Sequence, residues 1–153
     1  FGAWTPCDAE QPLRMLQSAG FDAMVTDDPA KALWKKAIIN AGVNPLTALF
    51  NVPNGALLER EETRDLLRLL ALEAISVAEA EGHCFDCGLV EEVQRVCAVT
   101  RENISSMLQD IRNHKRTEID AISGEILRRA HHAGIKVPYT RTAYNMVRTR
   151  EQL

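Results

Sequence analysis

Lys36, Asn40 and Asn44 stand four residues apart. On a helix turning about 100° per residue they fall in one narrow stripe about 12 Å long. A lysine and two amides in line make a polar ladder able to grip a small molecule that carries several oxygens. The same stretch offers Leu33, Trp34, Ala37, Ile38 and Ile39 to a core, so the ladder interrupts an otherwise apolar helix. Periodicity alone also allows a plainer reading, in which Lys36 is solvated and the two asparagines cap a kink before Pro45. Lys35 leaves the helix about 100° away from Lys36 and reads as a surface residue.

Other chemically capable residues form weaker patterns. Cys84 and Cys87 have the Cys-x-x-Cys spacing that could begin a zinc or redox site. Nothing completes it, because Cys97 with the distant His131 and His132 makes a poor second pair. The four cysteines, Cys7 included, read as thiols of a reducing cytosol, and no metal is expected. Arg112, His114, Lys115 and Arg116, then Arg128, Arg129, His131 and His132, could line a phosphate-binding face. With 18 Lys and Arg against 21 Asp and Glu, a net charge of -3, they read instead as a solvated face, and a nucleic-acid partner is disfavoured. The eight glycines include no Gly-x-Gly-x-x-Gly, and no strand-loop-helix unit is present to seat a pyrophosphate on a helix N-terminus.

The elements that must position the ladder read as helices. A chain of 153 residues, 46% hydrophobic and 25% charged, fits a soluble globular domain able to bury an ordinary core. Apolar runs such as 37–39 and 69–72 fall far short of the ~20 residues that cross a bilayer, and the N-terminus has no signal-like pattern, so a cytoplasmic protein without a membrane partner is expected. Residues 11–18 predict a short helix, Ala19-Gly20 a turn and residues 21–25 a short strand. With Phe1-Gly2 reading like the exit from a strand, residues 1–28 resemble the trailing edge of an α/β sheet whose other strands lie upstream, in a longer polypeptide. Asp28 as N-cap and Pro29 at the first helical position start a helix over 29–43, which Asn44-Pro45 ends or kinks. A turn at Pro53-Asn54-Gly55 separates Leu46, Leu49 and Phe50 from Leu57 and Leu58. Leu66, Leu67, Leu69, Leu70, Ile75, Val77 and Ala78 then mark the clearest helix, with Glu59, Glu61 and Glu62 crowding its start and Gly82 as its stop. Further helices are expected over 89–99, 105–112, 117–133 with Gly134 as the stop, and 140–150.

Trp34-Lys35-Lys36, then Asn40, then Asn44-Pro45-Leu46-Thr47-Ala48, then Pro53-Asn54-Gly55 resembles the signature of ketopantoate reductases. A second block, Asn103-Ile104-Ser105-Ser106-Met107-Leu108-Gln109-Asp110 followed by Thr117-Glu118-Ile119-Asp120, resembles the same family. The blocks come in family order with matching hydrophobic spacing, and the resemblance runs from about residue 28 to 150.

That resemblance implies a mainly α fold, a C-terminal helical bundle like the C-terminal domain of 6-phosphogluconate dehydrogenase over 29–153. It follows a short αβ remnant of a Rossmann domain over 1–28. It implies NADPH-dependent reduction of 2-dehydropantoate to pantoate, on the route to pantothenate and coenzyme A. Lys36 would be the general acid, Asn40, Asn44, Asn54 and Ser106 would hold the substrate, and Glu118 would contact the cofactor. Hydride arriving at a carbonyl carbon leaves charge on the oxygen, which a lysine ammonium can stabilise and then protonate. Amides can donate to the substrate carboxylate and accept from its hydroxyl. Most of the NADPH site, with the Rossmann domain of the same polypeptide, would lie outside this chain, which is expected to be inactive alone; a homodimer is an allowed assembly. Ser123-Gly124 departs from the usual Asn-Gly of the family, so a contact there is weakened or lost. Two rival readings remain: a reductase of another branched 2-keto acid, decided by apolar pocket residues, and a helical dimerisation or interaction module without catalysis. An interaction module would not require the polar residues of both blocks.

Overall fold

The computed structural model describes residues 9–153. Phe1, Gly2 and Cys7, singled out above, lie outside the described residues. The chain forms two compact units, the first ending at Lys36 and the second spanning Ala37–Leu153.

In the first unit, helix α1 (Glu10–Ser18) buries none of its residues and carries an Arg14–Glu10 ion pair one turn apart. The strand expected over 21–25 is absent; those residues have no regular secondary structure. A strand exists by its ladder to a neighbour, and none of the described residues offers one. Phe21, Met24 and Val25 are exposed. Helix α2 (Pro29–Phe50) begins as its sequence dictates: Lys31 N–H donates to Asp28 Oδ1 at 2.8 Å, with Pro29 at the first helical position.

The second unit is helical throughout. Every residue from Ala41 to Ala48 is buried, so this part of α2 is covered on all sides. Of the end or kink expected at Asn44-Pro45, the end is not there: α2 runs on past Val43 to Phe50 with Pro45 inside it. An interior proline costs about 3 kcal/mol, whereas full burial of a Val or Leu contributes about 1.5–3 kcal/mol, so Val43 and Leu46 together offset it.

A 3-10 turn (Asn54–Leu58) follows, then α3 (Glu61–Ala80), α4 (Leu89–Val99), α5 (Ser106–Arg112), a π-helical turn (Asp120–Gly124), α6 (Glu125–Ala133) and α7 (Pro138–Arg150). Helix α3 is the hub, packing on the 3-10 turn, α4, α6 and α7. Its buried residues, Leu67, Leu70, Ala71, Ala74, Val77 and Ala78, recur at helical spacing on one face. A Cβ added to Gly42 would stand 3.3 Å from Leu67 Cδ1 and 3.5 Å from Val93 Cγ1, so glycine lets α3 and α4 close on α2. A second cluster joins Ala48 of α2, Met107 of α5, Ile119 before the π turn and Val147 of α7.

Side chains from distant elements finish the helix ends. Glu73 of α3 accepts from Tyr139 N–H at 3.0 Å, and from Thr140 N–H and hydroxyl at 2.7 Å each, which satisfies orphan donors at the start of α7. Glu151, just past α7, accepts from Thr117 N–H and hydroxyl, both at 2.7 Å. The helix expected over 117–133 starts later and opens with the π turn, where Gly124 N–H reaches Ile119 O, five residues back, at 3.0 Å. Gly134 closes α6 at a φ of 69°. Among the described residues no helix is long and apolar enough to cross a membrane.

Candidate functional site

Lys36, Asn40 and Asn44 all lie on α2, Lys36 exposed, Asn40 half-buried and Asn44 buried. Neither asparagine caps a helix end, because the helix continues past both. Among the described residues Lys36 forms no ion pair, and the side chains of Asn40 and Asn44 form no hydrogen bond. A buried amide without a protein partner leaves donor and acceptor capacity open for a ligand or water. Lys35, expected at the surface, is half-buried: it lies three residues before Ile38 and seven before Gly42, on the face those buried residues share.

Asn54 opens the 3-10 turn and is 9% exposed. Its backbone N–H donates to Asn103 O at 3.0 Å, and Gly55 N–H to Arg101 O at 3.0 Å. A Cβ on Gly55 would come within 2.2 Å of Arg101 Cγ and 3.0 Å of Arg101 Cα, so no other residue permits this approach. The Asn54 amide nitrogen donates to Thr100 Oγ1 at 2.9 Å, while its Oδ1 is buried without a partner. An acceptor in that state costs about 1–3 kcal/mol unless a donor reaches it.

Ser106 is the exposed first residue of α5, and the buried Ser105 before it is the N-cap, accepting from Leu108 N–H at 3.1 Å. Ser105 Oγ lies 2.7 Å from Thr47 Oγ1, whose hydroxyl reaches Asn44 O at 2.9 Å and Val43 O at 3.1 Å. One assignment satisfies every group: Leu108 N–H donates to Ser105, Ser105 to Thr47, and Thr47 to the α2 carbonyls. The backbone of Asn44 is thereby tied to Ser105, beside Ser106, while the Asn54 backbone is bonded to Asn103, three residues before Ser106. Thr47 lies in the first motif block but outside the polar ladder legible there; a hydroxyl beside a helical proline was the available signal.

Glu118 is exposed and makes no ion pair among the described residues. Its neighbours on both sides are fixed: Thr117 by Glu151, and Ile119 in the apolar cluster that also holds Met107, next to Ser106. Asp120 then accepts from Tyr144 Oη at 2.7 Å and pairs with Arg116 at 2.6 Å and Arg148 at 3.2 Å. Hydrogen bonds from Arg116 and Tyr144 hold the Asp120 carboxyl below its ordinary range. Ser123 is buried.

The remaining patterns are accounted for locally. Cys84 and Cys87 are exposed free thiols, while burial pushes the Cys97 thiol up to about 11. Among the described residues no group of His, Cys, Asp and Glu could hold a metal ion. Several basic side chains are spent internally. Arg128 and Arg129 bond Glu125 at 2.6 and 2.7 Å, Arg129 also pairs with Glu81, and Arg112 donates to Asn51 at 2.9 Å.

Residues 28–151 match the family described as "Ketopantoate reductase PanE/ApbA C terminal". The chain is 39% identical over 131 residues to a 2-dehydropantoate 2-reductase of Halobacterium salinarum, covering 86% of this chain and 43% of that protein. With a 2-dehydropantoate 2-reductase of Escherichia coli O157:H7 it shares 44% identity over 120 residues, 78% of this chain and 39% of the relative. The chain thus spans less than half the length of these curated relatives. Its fold is similar to a PanE/ApbA family ketopantoate reductase from Ralstonia eutropha, with a TM-score of 0.88 and 31% identity over 96% of this chain and 50% of the other. A D-mandelate dehydrogenase solved with NADH and anilino(oxo)acetate matches with a TM-score of 0.85 and 27% identity, over 94% of this chain and 48% of that one. A dimeric ketopantoate reductase from Staphylococcus aureus matches with a TM-score of 0.85 and 29% identity, over 99% of this chain and 53% of the other.

Proposed function

The chain belongs to the family of ketopantoate reductase C-terminal domains, and on that premise we propose that it is the substrate-holding part of a 2-dehydropantoate 2-reductase. The observation that carries this reading is that both motif blocks fall inside the stretch shared with the 2-dehydropantoate 2-reductases. The full-length protein would reduce the ketone of 2-dehydropantoate to the alcohol of pantoate, a step towards pantothenate and coenzyme A, in the cytoplasm.

When bound, NADPH supplies hydride to the carbonyl carbon. Lys36 places its ammonium at the ketone oxygen, stabilises the charge that develops there and gives that oxygen its proton. Asn40, Asn44, Asn54 and Ser106 bind and orient the substrate, amides donating to the carboxylate and accepting from the hydroxyl. The unpartnered Oδ1 of Asn54 and the unbonded amide of Asn44 support that assignment. Glu118 accepts from a hydroxyl of the cofactor; its exposure and lack of an ion-pair partner fit such a contact.

The phosphate-binding part of the NADPH site belongs to an N-terminal Rossmann domain of the same polypeptide, of which residues 1–28 are the trailing edge and 29–153 the helical substrate domain. The exposed apolar residues of the first unit, Met15, Leu16 and Phe21, support a covering domain there. The likeness to a dimeric reductase supports a homodimer of the full-length protein. A second reading, favoured by the likeness to D-mandelate dehydrogenase, is reduction of another 2-keto acid with NADH. Steady-state rates of the full-length protein with 2-dehydropantoate and with an aromatic 2-keto acid, each with NADPH and NADH, separate the readings. The proposal expects the highest kcat/KM for 2-dehydropantoate with NADPH; no reduction of any 2-keto acid would leave only the interaction module.

A further inference from the structure

We propose that Thr47 is a positioning residue for the substrate contacts, acting through Ser105; this rests on the function proposed above. Thr47 is fully buried in α2, and its hydroxyl reaches the Asn44 carbonyl at 2.9 Å and Ser105 Oγ at 2.7 Å. Ser105 in turn receives Leu108 N–H at 3.1 Å and sets where α5 begins. Ser106, the next residue, is the first of that helix and has an exposed side chain. Two hydroxyls in series, Thr47 and Ser105, which stand 58 positions apart in sequence, therefore connect the backbone of one substrate-binding residue, Asn44, to the neighbour of another, Ser106.

The geometry leaves little slack. Both hydroxyls are buried, and in the assignment that satisfies the chain each donates and each accepts, so loss of either leaves a buried polar group without its partner. Pro45 lies between Asn44 and Thr47, so the stretch of α2 that carries Asn44 lacks one backbone donor, and the Thr47 hydroxyl adds a tie to Val43 O and Asn44 O there. Without that hydroxyl, Ser105 must turn its proton elsewhere, and the start of α5 is free to shift relative to Asn44. Binding groups displaced in this way lose affinity for a small substrate while Lys36, two turns of helix away from Asn44, keeps its chemistry.

Thr47→Val keeps the shape of the side chain and removes the hydroxyl; Thr47→Ser keeps the hydroxyl. In the full-length protein Thr47→Val should raise the KM for 2-dehydropantoate about 3- to 10-fold with kcat within about 2-fold and the KM for NADPH unchanged, the size expected of one hydrogen bond. Amide hydrogen exchange at Ser106, Met107 and Leu108 should speed up in the same variant, and Thr47→Ser should restore both quantities. Faster exchange with an unaltered substrate KM would make the link purely structural and overturn the proposal. Unaltered exchange would overturn the link itself, whatever the kinetics. Failure of the wild-type protein to reduce 2-dehydropantoate would instead overturn the function on which the inference rests, and the inference with it.

Discussion

Some side chains of the protein are free to act, whereas others are already occupied. Glu118 is free: it is exposed and makes no ion pair among the described residues. Glu118→Ala in the full-length protein should therefore raise the KM for NADPH and slow turnover with the Tm almost unmoved. A large fall in Tm with unchanged cofactor affinity would make Glu118 structural. Cysteine reactivity gives a second separation. Cys97 is buried with its thiol pushed up to about 11, whereas Cys84 and Cys87 are exposed, so a thiol reagent at neutral pH should modify Cys84 and Cys87 in the native protein and Cys97 only after denaturation. Mass spectrometry of the labelled peptides reads this directly; rapid native labelling of Cys97 would contradict the burial.

At the scale of the element, carboxylates decide how α6 and α7 are held. Glu125 is bonded by Arg128 and Arg129, and the Arg128 hydrogen bond leads in lowering its carboxyl to about 2 from an ordinary 4.5. A depressed carboxylate contributes stability that is fully present above 4.5 and is lost as the pH falls through the folded value, so the stability advantage of wild type over Glu125→Gln should shrink between about pH 4.5 and 2. An advantage independent of pH over that window would sink the assignment. Glu73→Ala should cost about 1–3 kcal/mol in chemical denaturation, because three donors at the start of α7 lose their acceptor.

The same elements show what local sequence can and cannot reveal. The limits of α4 and the stop of α6 at Gly134 were legible, because periodicity and a left-handed glycine are local signals. The passage of α2 through Pro45 was not, since it depends on burial from all sides. Nor were the π turn, the burial of Lys35 or the caps provided by Glu73 and Glu151, whose partners lie 66 and 34 residues away. The ladder of Lys36, Asn40 and Asn44 was legible as a stripe on a helix; the Thr47–Ser105 link that ties it to α5 spans elements and needed the fold.

At the scale of the whole molecule, the chain is expected to be a folded helical body with half of an active site. Alone it should show a cooperative helical melt by circular dichroism, no reduction of 2-dehydropantoate and no saturable micromolar binding of NADPH, because it has no Gly-x-Gly-x-x-Gly unit to seat the phosphates. Tight binding by the isolated chain would place the cofactor site here after all. In the reaction proposed for the full-length protein, Lys36 gives the ketone oxygen its proton. Single-turnover reduction of 2-dehydropantoate by that protein, comparing Lys36→Ala with Lys35→Ala, reads this step directly. Loss of a positioned charge and proton donor should lower the chemical step by about 100- to 1,000-fold, roughly 3–4 kcal/mol of barrier, with substrate affinity much less affected. Lys35→Ala should stay close to the wild-type rate. Equal, modest losses in the two variants would rule out Lys36 as the general acid.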